Sequence, residues 1–207
     1  MPTRSSARTV LLFGTVATII CLLWLDRPAS TWSYHHLHGI WVFVALPHAA
    51  EVIDGAALFA LVVRGIAAIF CTFRPGARAS LILNTALAVF IALAAREILK
   101  YLFGRTWPET FAYNSPSWIK DGAYGFHILH GGEGWTSFPS GHTTAVTAFA
   151  TALWYQAPRL RILWVLIALL VIFGLYGADF HFLGDISAGA TLGILIGQGV
   201  VALSPRW

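Results

Sequence analysis

The chain has 207 residues, of which 57% are hydrophobic and only 11% are charged, and its mean hydropathy is +0.72. Soluble domains carry about 25% charged residues, so this composition indicates an integral membrane protein and excludes an ordinary soluble domain. The net charge of +4 is modest and the basic residues form no run, which argues against a nucleic-acid-binding protein.

The first element is an apolar run over residues 10–25, which follows the basic start "MPTRSSART". The run is long for a signal peptide, and bulky residues occupy the place where small residues would mark a cleavage site. We therefore predict that it is a first transmembrane helix. Cys21 and Cys71 both lie in apolar segments, which favours small packing residues over a disulfide or a metal site.

Six segments have the roughly 20 mostly apolar residues that a helix needs to cross a bilayer. They are residues 9–25, 53–73, 79–99, 141–157, 161–178 and 184–204. The predicted fold class is all-α, a polytopic membrane protein of six transmembrane helices forming one domain over residues 1–207. A long, polar, outward-facing loop over residues 104–138 is predicted between helices three and four.

Residues 31–50, "TWSYHHLHGIWVFVALPHAA", are rich in aromatic residues and histidine. They indicate an interfacial or short re-entrant segment and not a full span. His35, His36 and His38 invite a metal site, but carboxylates and thiols are scarce nearby, so solvated interfacial histidines are the favoured interpretation.

Arginines set the orientation through the positive-inside rule. With six crossings, seven of the arginines that flank the spans fall on one side: Arg4, Arg8, Arg74, Arg78, Arg159, Arg161 and Arg206. That side is predicted to be cytoplasmic, with both termini inside. The long loop and residues 179–185 are then predicted to lie outside.

Three polar clusters meet at this outer side. The first, "REILKYLFGRTWPE" (96–109), carries Arg96, Lys100 and Arg105; the second is the turn 139–142, "PSGH"; the third is "GADFHFLGDISAG" (177–189). Residues 96 and 100 share a helix face. His181 and Asp185 are four residues apart, so on a helix the carboxylate can reach one imidazole nitrogen and raise the basicity of the other.

These clusters suit chemistry on a phosphoryl group. Lys100 and Arg105 supply positive charge, and a helix that begins at Ser140–Gly141 offers free N–H groups and the positive end of its dipole. One histidine could attack phosphorus while the other protonates the leaving oxygen. Ionisable groups at membrane depth are costly, which is itself a reason to assign them a function.

The stretches "FGRTWPE", "SFPSGHTTA" and "HFLGDISAG" resemble the three motifs of the type 2 phosphatidic-acid phosphatase superfamily, the membrane lipid phosphatases. The resemblance implies a reaction without metal or cofactor. It implies that His181 is the nucleophile, that Asp185 orients it and that His142 is the general acid. It further implies that Lys100, the Ser140 hydroxyl and the Gly141 amide bind the phosphate oxygens.

The chain departs from the motifs at two positions. The first motif ends in Arg-Pro, where this chain has Trp107-Pro108, and the third motif carries an arginine where this chain has Leu175. A guanidinium binds phosphate through a planar fork that few groups reproduce. The two losses predict a turnover reduced by orders of magnitude, unless another cation compensates, or else an altered substrate. The candidates for compensation are Arg105, Arg96 and Lys120.

The expected function is hydrolysis of the terminal phosphate of a lipid phosphate or diphosphate in a bacterial inner membrane, on the outer face. Undecaprenyl diphosphate, phosphatidylglycerol phosphate, phosphatidic acid and lipid A phosphates remain open as substrates. A lipid phosphotransferase and a non-catalytic phospholipid-binding or transport protein are the alternatives.

Other polar residues have weaker predicted roles. His127 and His130 are candidates for the pocket entrance or for contact with the lipid headgroup, Asp179 is expected to be an exposed loop acid, and Arg96 is expected to form a structural ion pair with Glu97.

Overall fold

The computed structural model describes residues 2–70, 76–110 and 114–204. Three residues used in the predictions, Cys71, Arg74 and Arg206, lie outside the described residues. Within the described ranges, all regular structure is helical apart from isolated bridges in the long loop. The predicted all-α class is confirmed.

Nine α-helices follow one another along the described chain. They are α1 (Arg4–Ile20), α2 (Asp26–His36), α3 (Trp41–Ala45), α4 (His48–Phe70), α5 (Ala77–Phe103), α6 (Trp118–Asp121), α7 (Gly141–Gln156), α8 (Arg161–Gly177) and α9 (Leu183–Leu203). A π-helical turn over Cys21–Leu25 joins α1 to α2 without a break. Short 3₁₀ turns at Glu133–Trp135 and Pro158–Leu160 precede α7 and α8.

Five of the described helical stretches are long and apolar enough to cross a membrane. They are Arg4–His36, Trp41–Phe70, Ala77–Phe103, Pro158–Gly177 and Leu183–Leu203. The predicted fourth span corresponds to α7, which has 16 residues and is shorter than the other spans. The protein is thus a multi-pass membrane protein, and the count of six crossings is not established by helix length.

The most extensive helix contact joins α7 to α9, and glycines make it possible. A side chain at Gly197 would lie 2.8 Å from the Ala148 carbonyl oxygen, and one at Gly193 would lie 2.9 Å from the Ala148 nitrogen. Small residues at this spacing let two helix backbones approach closely inside a membrane. The close contact holds the start of α7 beside the start of α9, where the polar motifs lie.

The segment between α5 and α7 folds back over the end of the bundle. Helix α5 ends at Gly104, whose left-handed φ of 52° lets the chain turn off the helix axis. Beyond it, isolated bridges join Arg105 to Phe126 and Thr136, and Trp107 to Ser117. This packing brings Arg105 and Trp107 back toward the residues that precede α7 and α9.

Candidate active site

A cavity of about 220 Å³ lies where the ends of α5 and α8 meet the start of α7 and the turn before α9. Its lining residues come from all three predicted motif regions: Arg96, Lys100, Trp107, Gly141, His142, Leu175, Phe180 and His181. The structure therefore brings together four of the predicted site residues, Lys100, Gly141, His142 and His181, in one cavity.

His181 lies in the turn between α8 and α9, and Asp185 lies behind it in the first turn of α9. The imidazole Nδ1 is 3.6 Å from Asp185 Oδ2 and 3.5 Å from Ser137 Oγ. Because Nδ1 is directed at these groups, Nε2 is the nitrogen on the opposite side of the ring. Burial lowers the pKa of His181 below its ordinary value, while Asp185 opposes this change. The neutral imidazole, the form that can attack phosphorus, is favoured.

The Asp185 carboxylate is fixed on both oxygens. Oδ2 accepts hydrogen bonds from the Ser137 hydroxyl at 2.6 Å and the Phe182 amide at 3.0 Å, and Oδ1 accepts from Arg105. The side chain is fully buried. A carboxylate held in this way cannot rotate away from His181, so it keeps the imidazole in one orientation.

Arg105 does not line the cavity. Its guanidinium is completely buried and binds two carboxylates, Asp185 through Nη1 and Asp26 through Nη2, the latter at 2.6 Å. Burial acts to lower the pKa of Arg105, but the two carboxylates outweigh it and leave the pKa raised. The geometry therefore places this cation behind Asp185 and outside the cavity, so Arg105 does not have the substrate-contacting position predicted for it.

Asp26 completes this buried group from the start of α2. Its Oδ2 also accepts a hydrogen bond from the Tyr124 hydroxyl at 3.0 Å, and its Oδ1 accepts one from the Gly184 amide at 2.7 Å. Asp26, Arg105 and Asp185 carry two formal negative charges and one positive charge. Of the three, Asp185 acts to raise the pKa of His181 and Arg105 acts to lower it.

The start of α7 supplies His142 and free backbone donors. Ser140 precedes the helix and is fully buried, with its hydroxyl 2.9 Å from Thr143 Oγ1 and its amide donating to the Asp185 carbonyl. Gly141 is the first residue of α7, and the first N–H groups of a helix have no partner within it. The His142 side chain is about one-third exposed, and its Nε2 lies 3.9 Å from Glu51 Oε1.

Lys100 approaches the cavity from the last turn of α5. Its ammonium lies 5.9 Å from the centre of the Trp107 ring, and that ring packs on His181 with a centroid distance of 4.9 Å. Trp107 therefore covers one side of the histidine at a position where the resembling motif carries an arginine.

Several other predicted roles are assigned differently by the structure. Asp179 is 1% exposed, so the expectation of an exposed acid is wrong; burial raises its pKa to about 7, against the effect of its hydrogen bond from Ser30. His127 and His130 are exposed and pack on Trp135 instead of lining the cavity. Lys120 binds Asn114, away from the cavity.

The histidine-rich segment lies at the end of α2. His36 stacks on Trp32, and His38 lies 3.0 Å from Glu109. No group of three metal-ligating side chains occurs within the described ranges.

Two residues of this site were missed by the sequence analysis. Ser137 is the first residue of the stretch "SFPSGHTTA", but the sequence analysis gave it no role, because only the Pro-Ser-Gly-His turn two residues later pointed to chemistry. Asp26 could have been found, because it is an acid at the end of a long apolar run, and ionisable groups at membrane depth are by default functional candidates.

The helical bundle and its polar cavity define a multi-pass membrane protein with three motif regions converging at one end. The chain belongs to the PAP2 superfamily, whose family model matches residues 79–207. The predicted family resemblance is thereby confirmed.

The solved structures include a transmembrane PAP2-type phosphatidylglycerolphosphate phosphatase from Bacillus subtilis with the same fold, at a TM-score of 0.58 and 18% sequence identity. The alignment covers 95% of this chain and 94% of that one. No curated protein matches the chain.

Proposed function

We propose that this protein is a membrane lipid phosphatase that removes the terminal phosphate of a lipid phosphate or diphosphate through a phosphohistidine intermediate. The observation that carries the proposal is the arrangement of two histidines on one cavity. His181 is backed by Asp185, and His142 lies at the start of α7, whose free N–H groups suit an anion.

In the first step, His181 Nε2 attacks phosphorus and the bond from phosphorus to the leaving oxygen breaks. Protonated His142 donates its proton to that oxygen, so the alcohol or phosphate leaves with its oxygen protonated. The phosphorylated ring of His181 is positive, and Asp185 stabilises it at Nδ1. Lys100 and the Gly141 amide, which line the cavity, hold the charge on the phosphoryl oxygens. Ser140, predicted to bind phosphate through its hydroxyl, is buried against Thr143 and does not line the cavity.

In the second step, water attacks phosphorus and the bond to Nε2 breaks. His142, now neutral, accepts the proton from water, and inorganic phosphate leaves. The cycle restores both histidines and needs no group beyond these side chains and water, so we propose that it runs without a metal or cofactor.

The dimensions of the cavity favour a lipid substrate. A volume of about 220 Å³ is below the roughly 300–1,000 Å³ of pockets that bury a whole drug-sized ligand, so it suits a phosphorylated headgroup. An apolar groove of about 390 Å³ lies further along the same helices, between α4, α5 and α7. Val89 and Phe149 in the groove are each two turns from Arg96 and His142 in the cavity. The hydrocarbon chain of the lipid substrate would then lie along this apolar groove and remain within the membrane.

We further propose six crossings, with α7 as a short fourth span, and both termini in the cytoplasm. The arginine distribution supports this orientation. The cavity would then face the outside of a bacterial inner membrane. Phosphatidylglycerol phosphate, undecaprenyl diphosphate, phosphatidic acid and lipid A phosphates are the substrates to compare.

Phosphate release by the purified protein in detergent, measured for these four lipids with EDTA present, tests the proposal. We expect release with at least one lipid and its loss in His181→Ala, while His127→Ala, an exposed histidine outside the cavity, keeps wild-type activity. Acid quenching should trap labelled phosphate on wild-type protein and not on His181→Ala.

Release that requires a metal, or that persists in His181→Ala, would refute the phosphohistidine mechanism. Transfer of the label to a second lipid instead of water would identify a phosphotransferase. Because the pKa of His181 is lowered, the acid limb of kcat/KM is expected below pH about 6.5, the ordinary histidine value.

A further inference from the structure

The cavity holds a second cation that the proposed mechanism does not use. Arg96 and Lys100 lie one turn apart on α5, and both line the cavity with His142 and His181. We propose that Arg96 binds the phosphoryl oxygens of the substrate and replaces the arginines that the resembling motifs carry at positions 107 and 175. This inference rests on the proposed function and names a further substrate-binding residue for it.

The two positions that lack an arginine face the same cavity as Arg96. Trp107 packs on His181, and Leu175 is fully buried in the cavity wall. Neither side chain can neutralise a phosphate. Among the described residues that line the cavity, the cations are Arg96 and Lys100, so Arg96 is the guanidinium available there.

The Arg96 guanidinium lies against the start of α7. A Cβ at Gly141 would be 2.7 Å from Arg96 Nη1 and 3.1 Å from Cζ, which means that the guanidinium occupies the space beside the glycine. The free amides at the helix start and the guanidinium therefore flank the same point. Backbone amides at a helix start and a guanidinium are both good hydrogen-bond donors to phosphate oxygens, so this arrangement suits a phosphoryl group.

The ion pairs of Arg96 leave donors for a ligand. Its Nε donates to Glu97 Oε1 at 3.0 Å, and that carboxylate is 63% exposed, so water weakens the pair. Its Nη1 lies 3.8 Å from Asp54 Oδ2, which is too long for a hydrogen bond. Arginine has five N–H groups, so these contacts orient the fork without saturating it.

Arg105 cannot take this role. Both of its terminal nitrogens are bound to buried carboxylates, and removing it from them would leave two buried charges without a partner. Lys120 is bound to Asn114 outside the cavity. Of the three cations that the sequence suggests as replacements, Arg96 is the one that lines the cavity.

The alternative is that Arg96 only neutralises Asp54. The two roles predict different results when both charges are removed together. If Arg96 is structural, Asp54→Asn should rescue Arg96→Gln, because no unpaired acid remains. If Arg96 binds phosphate, the double variant should stay impaired, and Arg96→Gln should be rescued in part by Leu175→Arg, which returns a guanidinium to the cavity wall.

The test measures equilibrium binding of phosphatidic acid in detergent on the His181→Ala background, which keeps the cavity but cannot turn over. We expect Arg96→Gln to weaken binding about tenfold or more, the effect of one charge-assisted hydrogen bond, and Arg96→Lys to weaken it less. The Asp54→Asn and Arg96→Gln double variant should bind as weakly as Arg96→Gln. Gel filtration and thermal unfolding show whether each variant is folded.

Unchanged binding in folded Arg96→Gln, or full recovery in the double variant with Asp54→Asn, would overturn the inference. In turnover on the intact background, Arg96→Gln should raise KM more than it lowers kcat. The two proposals fail separately. Active wild type with an unchanged KM in Arg96→Gln refutes the role of Arg96 alone, whereas absent turnover with Arg96-dependent binding refutes the phosphatase alone.

Discussion

The buried group of Asp26, Arg105 and Asp185 makes a specific prediction about a residue outside the family motifs. Asp26→Asn keeps the size of the side chain and removes its charge. The three donors on the carboxylate, from Arg105, Tyr124 and Gly184, cannot all be satisfied by an amide, because one of its two ends is itself a donor.

The magnitude follows from these contacts. An unpaired buried donor costs about 1–3 kcal/mol, and a charged hydrogen bond that becomes neutral loses about 1 kcal/mol more. We expect Asp26→Asn to lower the free energy of unfolding by about 2–4 kcal/mol. Tyr124→Phe, which removes one donor and no charge, should cost only about 0.5–1.5 kcal/mol.

We expect the charge of Asp26 to act on the proposed reaction as well. Without Asp26, the positive charge of Arg105 is opposed by Asp185 alone, and Arg105 already lowers the pKa of His181. The pKa of His181 should therefore decrease further. The assay is the pH dependence of kcat/KM in detergent for wild type, Asp26→Asn and Tyr124→Phe, beside chemical unfolding of each protein.

We expect the acid limb of Asp26→Asn to move to lower pH and that of Tyr124→Phe to stay in place. An equal shift in both variants would mean that the hydrogen bond matters and the charge does not. An acid limb that stays in place or moves upward in Asp26→Asn would refute the electrostatic reasoning.

Two further predictions concern stability. Gly193→Ala should lower the free energy of unfolding by about 1–3 kcal/mol, because the added methyl group meets Thr147 and the α7 backbone. The control is Gly199→Ala, whose methyl group meets nothing within 4 Å and which should be neutral or stabilising by up to about 1 kcal/mol. Equal effects of the two substitutions in unfolding titrations would contradict the tight α7–α9 contact. The raised pKa of Asp179, about 7, means that the folded protein binds this proton more tightly than the unfolded chain, so the stability that the protonated acid contributes is present below pH about 4 and is lost as the pH rises through about 7. Asp179→Asn should therefore stabilise the protein at pH 8 relative to wild type and have little effect at pH 4, and a stabilisation that does not change with pH would be inconsistent with a buried, titrating acid.

The sequence by itself determined the class and the family, and it pointed to the two residues of the proposed catalytic pair. Composition and hydropathy follow from the bilayer, which requires long apolar helices, so they could be recognised without coordinates. His181 and Asp185 are four residues apart, and a helix start puts such a pair together through local geometry alone. The same holds for Gly141 and His142, which follow a turn that opens a helix.

Only the tertiary structure decided which cations face the cavity. Arg96 stays on α5 with Lys100, but the chain leaves the helix at Gly104, and Arg105 is turned into the protein toward acids 79 and 80 residues away. The burial of Asp179 and the contact of Asp26 with Arg105 could not be predicted from the sequence either, because both depend on contacts between distant segments. Contacts between distant segments depend on how the helices pack, and no local spacing records them.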